Sequence, residues 1–170
     1  RWVTVGIVVD AVNGMVLSID ELPGEDAEQL QAWLEPILEA VDADVVVSDD
    51  ADAFKNVSDE TGRSQQVCKS HVVRNTEALV EELSAMIGAG QDHSLEVIHI
   101  TPEQALADLT SLKEMIHSRR PEDQPHLEGI YLRYANARKP GKGQKHTVAY
   151  RMSNLFMDRW ILWPRLPLYR

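Results

Sequence analysis

Val3 to Val9 (VTVGIVV) is a β-branched run, Asp10-Ala11-Val12-Asn13-Gly14 is polar and turn-forming, and Met15 to Ile19 is apolar again. Asn-Gly between two such runs predicts a β-hairpin, because both residues tolerate the positive φ of a type I′ turn. Leu22-Pro23-Gly24 ends it. Ala27, Leu30, Trp33, Leu34, Ile37, Leu38 and Val41 then recur at three- and four-residue steps, which predicts an amphipathic helix kinked or interrupted at Pro36. Val45 to Ser48 reads as a short strand buried on both faces. A short helix from Ala53 to Glu60, a short strand at Gln65 to Cys68 and a long helix from Lys69 to Met86 follow. Beyond Gly88-Ala89-Gly90 the period is helical throughout. Thr101-Pro102 is a helix start, with Thr as cap and Pro in the first turn. Further helices are expected at Pro125 to Ala137 and Lys145 to Trp163, joined by the basic loop Lys139-Pro140-Gly141-Lys142-Gly143.

Composition narrows the class. The chain has 170 residues, 44% of them hydrophobic and 26% charged, which fits a globular protein rather than a disordered one. No stretch approaches the ~18 apolar residues of a spanning helix. A single cysteine, Cys68, excludes an internal disulfide framework and fits a reducing compartment. The start at Arg1-Trp2-Val3 and the stop at Leu168-Tyr169-Arg170 read as cuts through a larger protein. The net charge of −10 is unevenly spread. Residues 1–60 hold 2 basic and 15 acidic side chains, and residues 131–170 hold 9 basic and 1 acidic. Such a gradient suggests an acidic body with a basic face or arm.

Asp49 is the first candidate for chemistry, since open α/β sheets place ligands just past the carboxyl ends of their strands. On spacing alone, capping of the following helix by Asp49, Asp50 or Asp52 is the stronger reading. Asp10 reads as turn chemistry. Cys68 and His71 share a helix start, but a lone C-x-x-H supplies only half of a structural zinc site. Neither a G-x-S-x-G elbow nor a phosphate-binding glycine loop occurs. The basic segment carries Arg138, Lys139, Lys142 and Lys145 among aromatic residues. Its lysines read as phosphate contacts, whereas Trp160 and Trp163 read as core at helical spacing.

The run W-V-T-V-G-I-V-V-D-A-V-N-G-M-V-L-S-I-D, the amphipathic helix, V-V-V-S-D-D and then Q-V-C-K-S-H-V-V-R-N resemble the catalytic core of DDE-type insertion-sequence transposases, bacterial and Mutator-like. The resemblance covers roughly residues 1–80. It implies an α/β, RNase H-like core, an antiparallel hairpin plus parallel strands with flanking helices, over residues 1–95. An all-α insertion with a basic C-terminal segment follows over residues 96–170. It places Asp49 on the second catalytic Asp and on the metal, and so overrides the capping reading. It places Cys68, His71, Arg74 and Asn75 on the C-x-x-H-x-x-R-N element near DNA. The implied activity is DNA transposition, by Mg²⁺- or Mn²⁺-dependent cleavage and strand transfer of phosphodiesters. The implied partners are transposon ends and, in the full-length protein, further copies of itself, without a membrane. The setting is the cytoplasm of a prokaryote, at the nucleoid.

The strand bearing the first catalytic Asp is expected upstream of Arg1. No Asn-Asn-x-x-Glu-like motif follows, and Glu114 and Glu128 are the only internal stand-ins for the final Glu. The fragment alone is therefore expected to be inactive and to hold no metal. Two alternatives compete: a non-catalytic nucleic-acid or protein interaction module, and a Mg²⁺-dependent phosphatase of another α/β fold using Asp49-Asp50-Ala51-Asp52.

Overall fold

The computed structural model describes residues 2–90 and 92–166. The chain is mixed α/β and divides into two compact units, Arg1–Cys68 and Lys69–Arg170.

In the first unit, β1 (Thr4–Asp10) and β2 (Met15–Leu22) form the expected antiparallel hairpin. Its tip is not a type I′ turn. Gly14 adopts positive φ but Asn13 does not, and a four-residue connection closes with Gly14 N–H donating to the Asp10 carbonyl at 2.8 Å. The Asp10 carboxylate supplies the remaining order. It accepts from the backbone N–H groups of Val12 and Asn13 and from Asn13 Nδ2. These bonds, that from the Asn13 side chain foremost, hold the Asp10 carboxyl below its ordinary range.

Helix α1 (Ala27–Ala40) is capped by Asp26, whose side chain accepts from Gln29 N–H, and it buries Leu30, Leu34 and Leu38 at helical spacing. It continues through Pro36, so of the kink or interruption expected there the interruption does not occur. Pro36 and Ala32 are both exposed, so the carbonyl that loses its helical bond faces water. The leucines pack with Leu22 and Val57, joined by the half-buried Val8, Trp33 and Val46, into one core that ties hairpin, helices and strand together.

Trp33 lies across Gly6 on β1, and its indole N–H donates to Asp20 at 2.8 Å. A Cβ at Gly6 would come within 2.4 Å of the Trp33 ring. Gly6→Ala is therefore expected to destabilise this unit by about 1–3 kcal/mol, read as an earlier urea midpoint together with loss of the Trp33 near-ultraviolet dichroism. An unchanged midpoint would mean that the ring swings aside freely.

Strand β3 (Val45–Ser48) pairs in parallel with β4 (Ser64–Val67), on either side of α2 (Asp52–Thr61). β3 is not buried on both faces as its sequence suggests. Val46 joins the core while Val47 is exposed, because one helical layer covers this short pair. The hairpin and the β3–β4 pair are separate two-stranded sheets rather than one continuous sheet. The outward face of the hairpin is correspondingly bare: Val5, Ile7, Val9, Val16 and Ile19 are between 48% and 62% exposed.

The second unit is all helical: α3 (Lys69–Ala89), α4 (Ser94–Val97), α5 (Pro102–Ser118), α6 (Gln124–Tyr134) and α7 (Val148–Leu162). Helix α3, assigned by sequence to the first domain, belongs here, where it packs against α5 and α7. Leu83, Leu109, Leu112, Ile116, Leu127 and Phe156 are fully buried together with Trp163, whose indole N–H donates to the Arg120 carbonyl. Thr101 caps α5 as its sequence predicts, accepting from Gln104 N–H.

Asp92 fixes the start of α7. Its carboxylate accepts from Val148 N–H and Ser94 N–H, both at 2.7 Å, while Ser94 Oγ accepts from Ala149 N–H. Burial pushes the Asp92 carboxyl up, but hydrogen bonds from the Ser94 side chain and from the Val148 and Ser94 N–H groups outweigh it and hold it below its ordinary value. A depressed carboxylate contributes stability that is complete above its unfolded value and is lost as pH falls through the lower folded one. Asp92→Ala is therefore expected to weaken this unit at neutral pH and to flatten its stability loss below about pH 4. Acid titration followed by helical dichroism reads both effects, and superimposable curves would refute them.

Candidate functional site

The carboxyl end of β3 carries Ser48 and Asp49, and parallel pairing brings the end of β4 beside it. Ser48 pairs with Val67, and Cys68 N–H donates to the Ser48 carbonyl at 2.6 Å. Gln65, buried, locks the corner by donating from Nε2 to Ser48 Oγ at 2.8 Å and to the Asp49 carbonyl at 3.1 Å. Ser48 Oγ in turn donates to the Asp49 carbonyl. The backbone around Asp49 is thus held from two sides.

The three acids after β3 have different fates. Asp50 and Asp52 share the Lys55 ammonium, at 3.3 and 3.0 Å. Burial lowers the Lys55 pKa, but the two carboxylates outweigh it and hold the ammonium firmly charged. Asp49 is exposed, and its one recorded side-chain bond is from Ala51 N–H at 3.1 Å. Capping, the reading favoured by spacing, is not its geometry: the N-cap of α2 is Ala51, which makes no side-chain cap bond. Asp49 instead closes an Asx turn ahead of the helix. Lys55 and Gln65 lie outside the motifs that the sequence presents. Lys55 stands three residues after Asp52, a visible i, i+3 pair. Nothing in the sequence could single out Gln65, whose role depends on the parallel register.

Cys68 is half-buried and bears a free thiol. In the second unit His71, Arg74 and Asn75 share one exposed face of α3, at helical spacing opposite the buried Val72, Thr76 and Val80. Gln66, the glutamine of the Q-x-C triplet, is buried with an acceptor oxygen that meets no donor among the described residues.

The nine basic residues of the C-terminal segment separate into kinds. Arg133 pairs with Asp108, Arg151 with Glu82, and Arg159 donates to Thr76. Arg138, Lys139, Lys142 and Lys145 stand on the exposed connection between α6 and α7, and no hydrogen bond or ion pair engages them among the described residues. Trp163 is core, and Trp160 stacks on Tyr131 with ring centroids 5.8 Å apart.

A two-metal phosphoryl-transfer site takes carboxylates converging on ions about 4 Å apart. No group of three or more His, Cys, Asp and Glu side chains able to hold a metal forms among the described residues. Glu114 and Glu128 are exposed on α5 and α6 and join no such group. The described residues therefore do not by themselves make the magnesium site that the resemblance implies. Cys68 and His71 likewise join no zinc cluster. No helix among the described residues is long and apolar enough to cross a membrane. No family model matches the chain, and neither a curated protein nor a solved structure matches it.

Proposed function

We propose that this chain belongs to a DNA-transposing enzyme of the DDE type, to which it contributes Asp49 as a catalytic carboxylate. The observation that carries the reading is the contrast at the end of β3, where Asp50 and Asp52 share the Lys55 ammonium and Asp49 remains exposed on a braced backbone without a cation. Beyond closing its turn, a carboxylate left in this way at the carboxyl end of a parallel strand supports a ligand-facing role. An antiparallel hairpin and a parallel β3–β4 pair, with the hairpin and β3 sharing one core, are consistent with this reading. The exposed His71, Arg74 and Asn75 face of α3 supplies donors suited to phosphate.

A phosphatase built on Asp49-Asp50-Ala51-Asp52 is the weaker reading, since Lys55 already holds two of its three acids. A non-catalytic nucleic-acid module is what remains if Asp49 does no chemistry. The deciding experiment is strand cleavage and joining by the whole protein with Asp49 replaced. Undiminished cleavage removes Asp49 from the mechanism and leaves the module.

A further inference from the structure

We propose that the connection between α6 and α7 is a sequence-independent docking site for the phosphate backbone of double-stranded nucleic acid. It works through Arg138, Lys139, Lys142 and Lys145 and is independent of any chemistry at Asp49. In a chain of net charge −10, residues 129–157 contain no acidic side chain. Within that span the structure separates cations that serve the fold from cations that do not. Arg133 and Arg151 are spent on Asp108 and Glu82, whereas the loop's four make no hydrogen bond or ion pair among the described residues and are exposed.

Both ends of the loop are fixed. Tyr134, the last residue of α6, is buried against Phe156 and donates to Asp108, and the first turn of α7 is held by Asp92 and Ser94. Between these anchors, Gly143 at positive φ and a hydrogen bond from Gly141 N–H to the Gln144 side chain keep the turn compact. Four cations held on a short anchored turn concentrate positive potential where the rest of the chain is acidic.

The chemistry of the loop selects among polyanions. It has no large apolar side chain to enter a bilayer, as membrane-surface segments have. The aromatic rings near it are engaged with one another, Tyr131 stacked on Trp160 and His146 edge-on to Tyr150, rather than laid out as a platform for unstacked bases. What it offers is lysine ammonium groups and one guanidinium, which suit backbone phosphates and read no base sequence.

The test is fluorescence anisotropy of the full chain with a labelled random-sequence duplex, titrated across a salt series. Binding is expected to weaken steeply with salt. The variant Arg138→Gln/Lys139→Gln/Lys142→Gln/Lys145→Gln should lose at least about tenfold in affinity and lower the log–log salt slope by about 3 to 4, at about 0.9 per phosphate released. Arg151→Gln, whose cation is already paired, should leave the slope alone. If the quadruple variant melts early, the single reversal Lys142→Glu reads the same slope. An unchanged slope overturns the proposal. So does tighter binding to the single strand, equal binding to phosphatidylserine vesicles, or a loop-dependent self-association without nucleic acid, which would seat the loop on the acidic unit of a second copy. Because the loop is read by binding and Asp49 by cleavage, either assignment can fail while the other stands.

Discussion

Asp49→Asn is expected to abolish strand cleavage by the whole protein while leaving its melting unchanged. The side chain is exposed, and its single recorded bond, from Ala51 N–H, needs only an oxygen that asparagine also has. The turn survives and stability should move by no more than about 0.5 kcal/mol. What disappears is the negative charge. Charge stabilisation at a reacting phosphate amounts to several kcal/mol, and about 4 kcal/mol is about 10³-fold in rate. Asp50→Asn and Asp52→Asn are the matched controls. They remove one partner of Lys55 at the surface, where such pairs contribute about 0–1 kcal/mol, and cleavage should persist in both. If all three substitutions are equally silent, Asp49 has no special place.

The largest effect on stability is expected at Asp108. This carboxylate, 2% exposed on α5, accepts from the Arg133 guanidinium on α6, from the Tyr134 hydroxyl at 2.8 Å and from Gln104 Nε2 at 3.0 Å. Burial, with the neighbouring carboxylate next, pushes the Tyr134 hydroxyl well above its ordinary range, so it stays a donor at any working pH. Asp108→Ala removes the acceptor for all three at once. Arg133 is half-exposed and can turn to water, but the Tyr134 hydroxyl is trapped. The unsatisfied hydroxyl costs about 1–3 kcal/mol, and loss of the solvent-screened pair with Arg133 adds about 0–1 kcal/mol. Urea unfolding of Asp108→Ala, Arg133→Met and the double variant measures it. The double variant should be less unstable than the two single losses added together. Strict additivity would mean that the network carries no coupling.

The sequence made some elements legible and hid others for identifiable reasons. The helical periods around Leu30, Leu34 and Leu38 and around Leu109, Leu112 and Ile116 return as buried faces, because one amphipathic stripe needs only one neighbour. The hairpin was readable from its apolar runs, but Asn13-Gly14 misled about its tip, since Asp10 imposes a different turn by binding two backbone N–H groups. The Val45–Val47 run suggested burial on both faces, which requires neighbours that periodicity cannot count. Asp49 was found by its place after a strand, yet its isolation from Lys55 could be learned only in three dimensions. The tail's charge was visible as a total. Which cations the fold absorbs depended on helix pairings such as Glu82 with Arg151, 69 residues apart.

The bare outer face of the hairpin has a consequence for how this molecule keeps company with itself. An uncharged, β-prone septet such as Val3 to Val9 is the kind of segment that stacks into fibrils when nothing covers it. The dense carboxylates of the first sixty residues therefore act as colloidal guards, holding copies apart by repulsion. That protection fades only once these carboxylates themselves take up protons, below about pH 4, and precipitation would then begin at the hairpin.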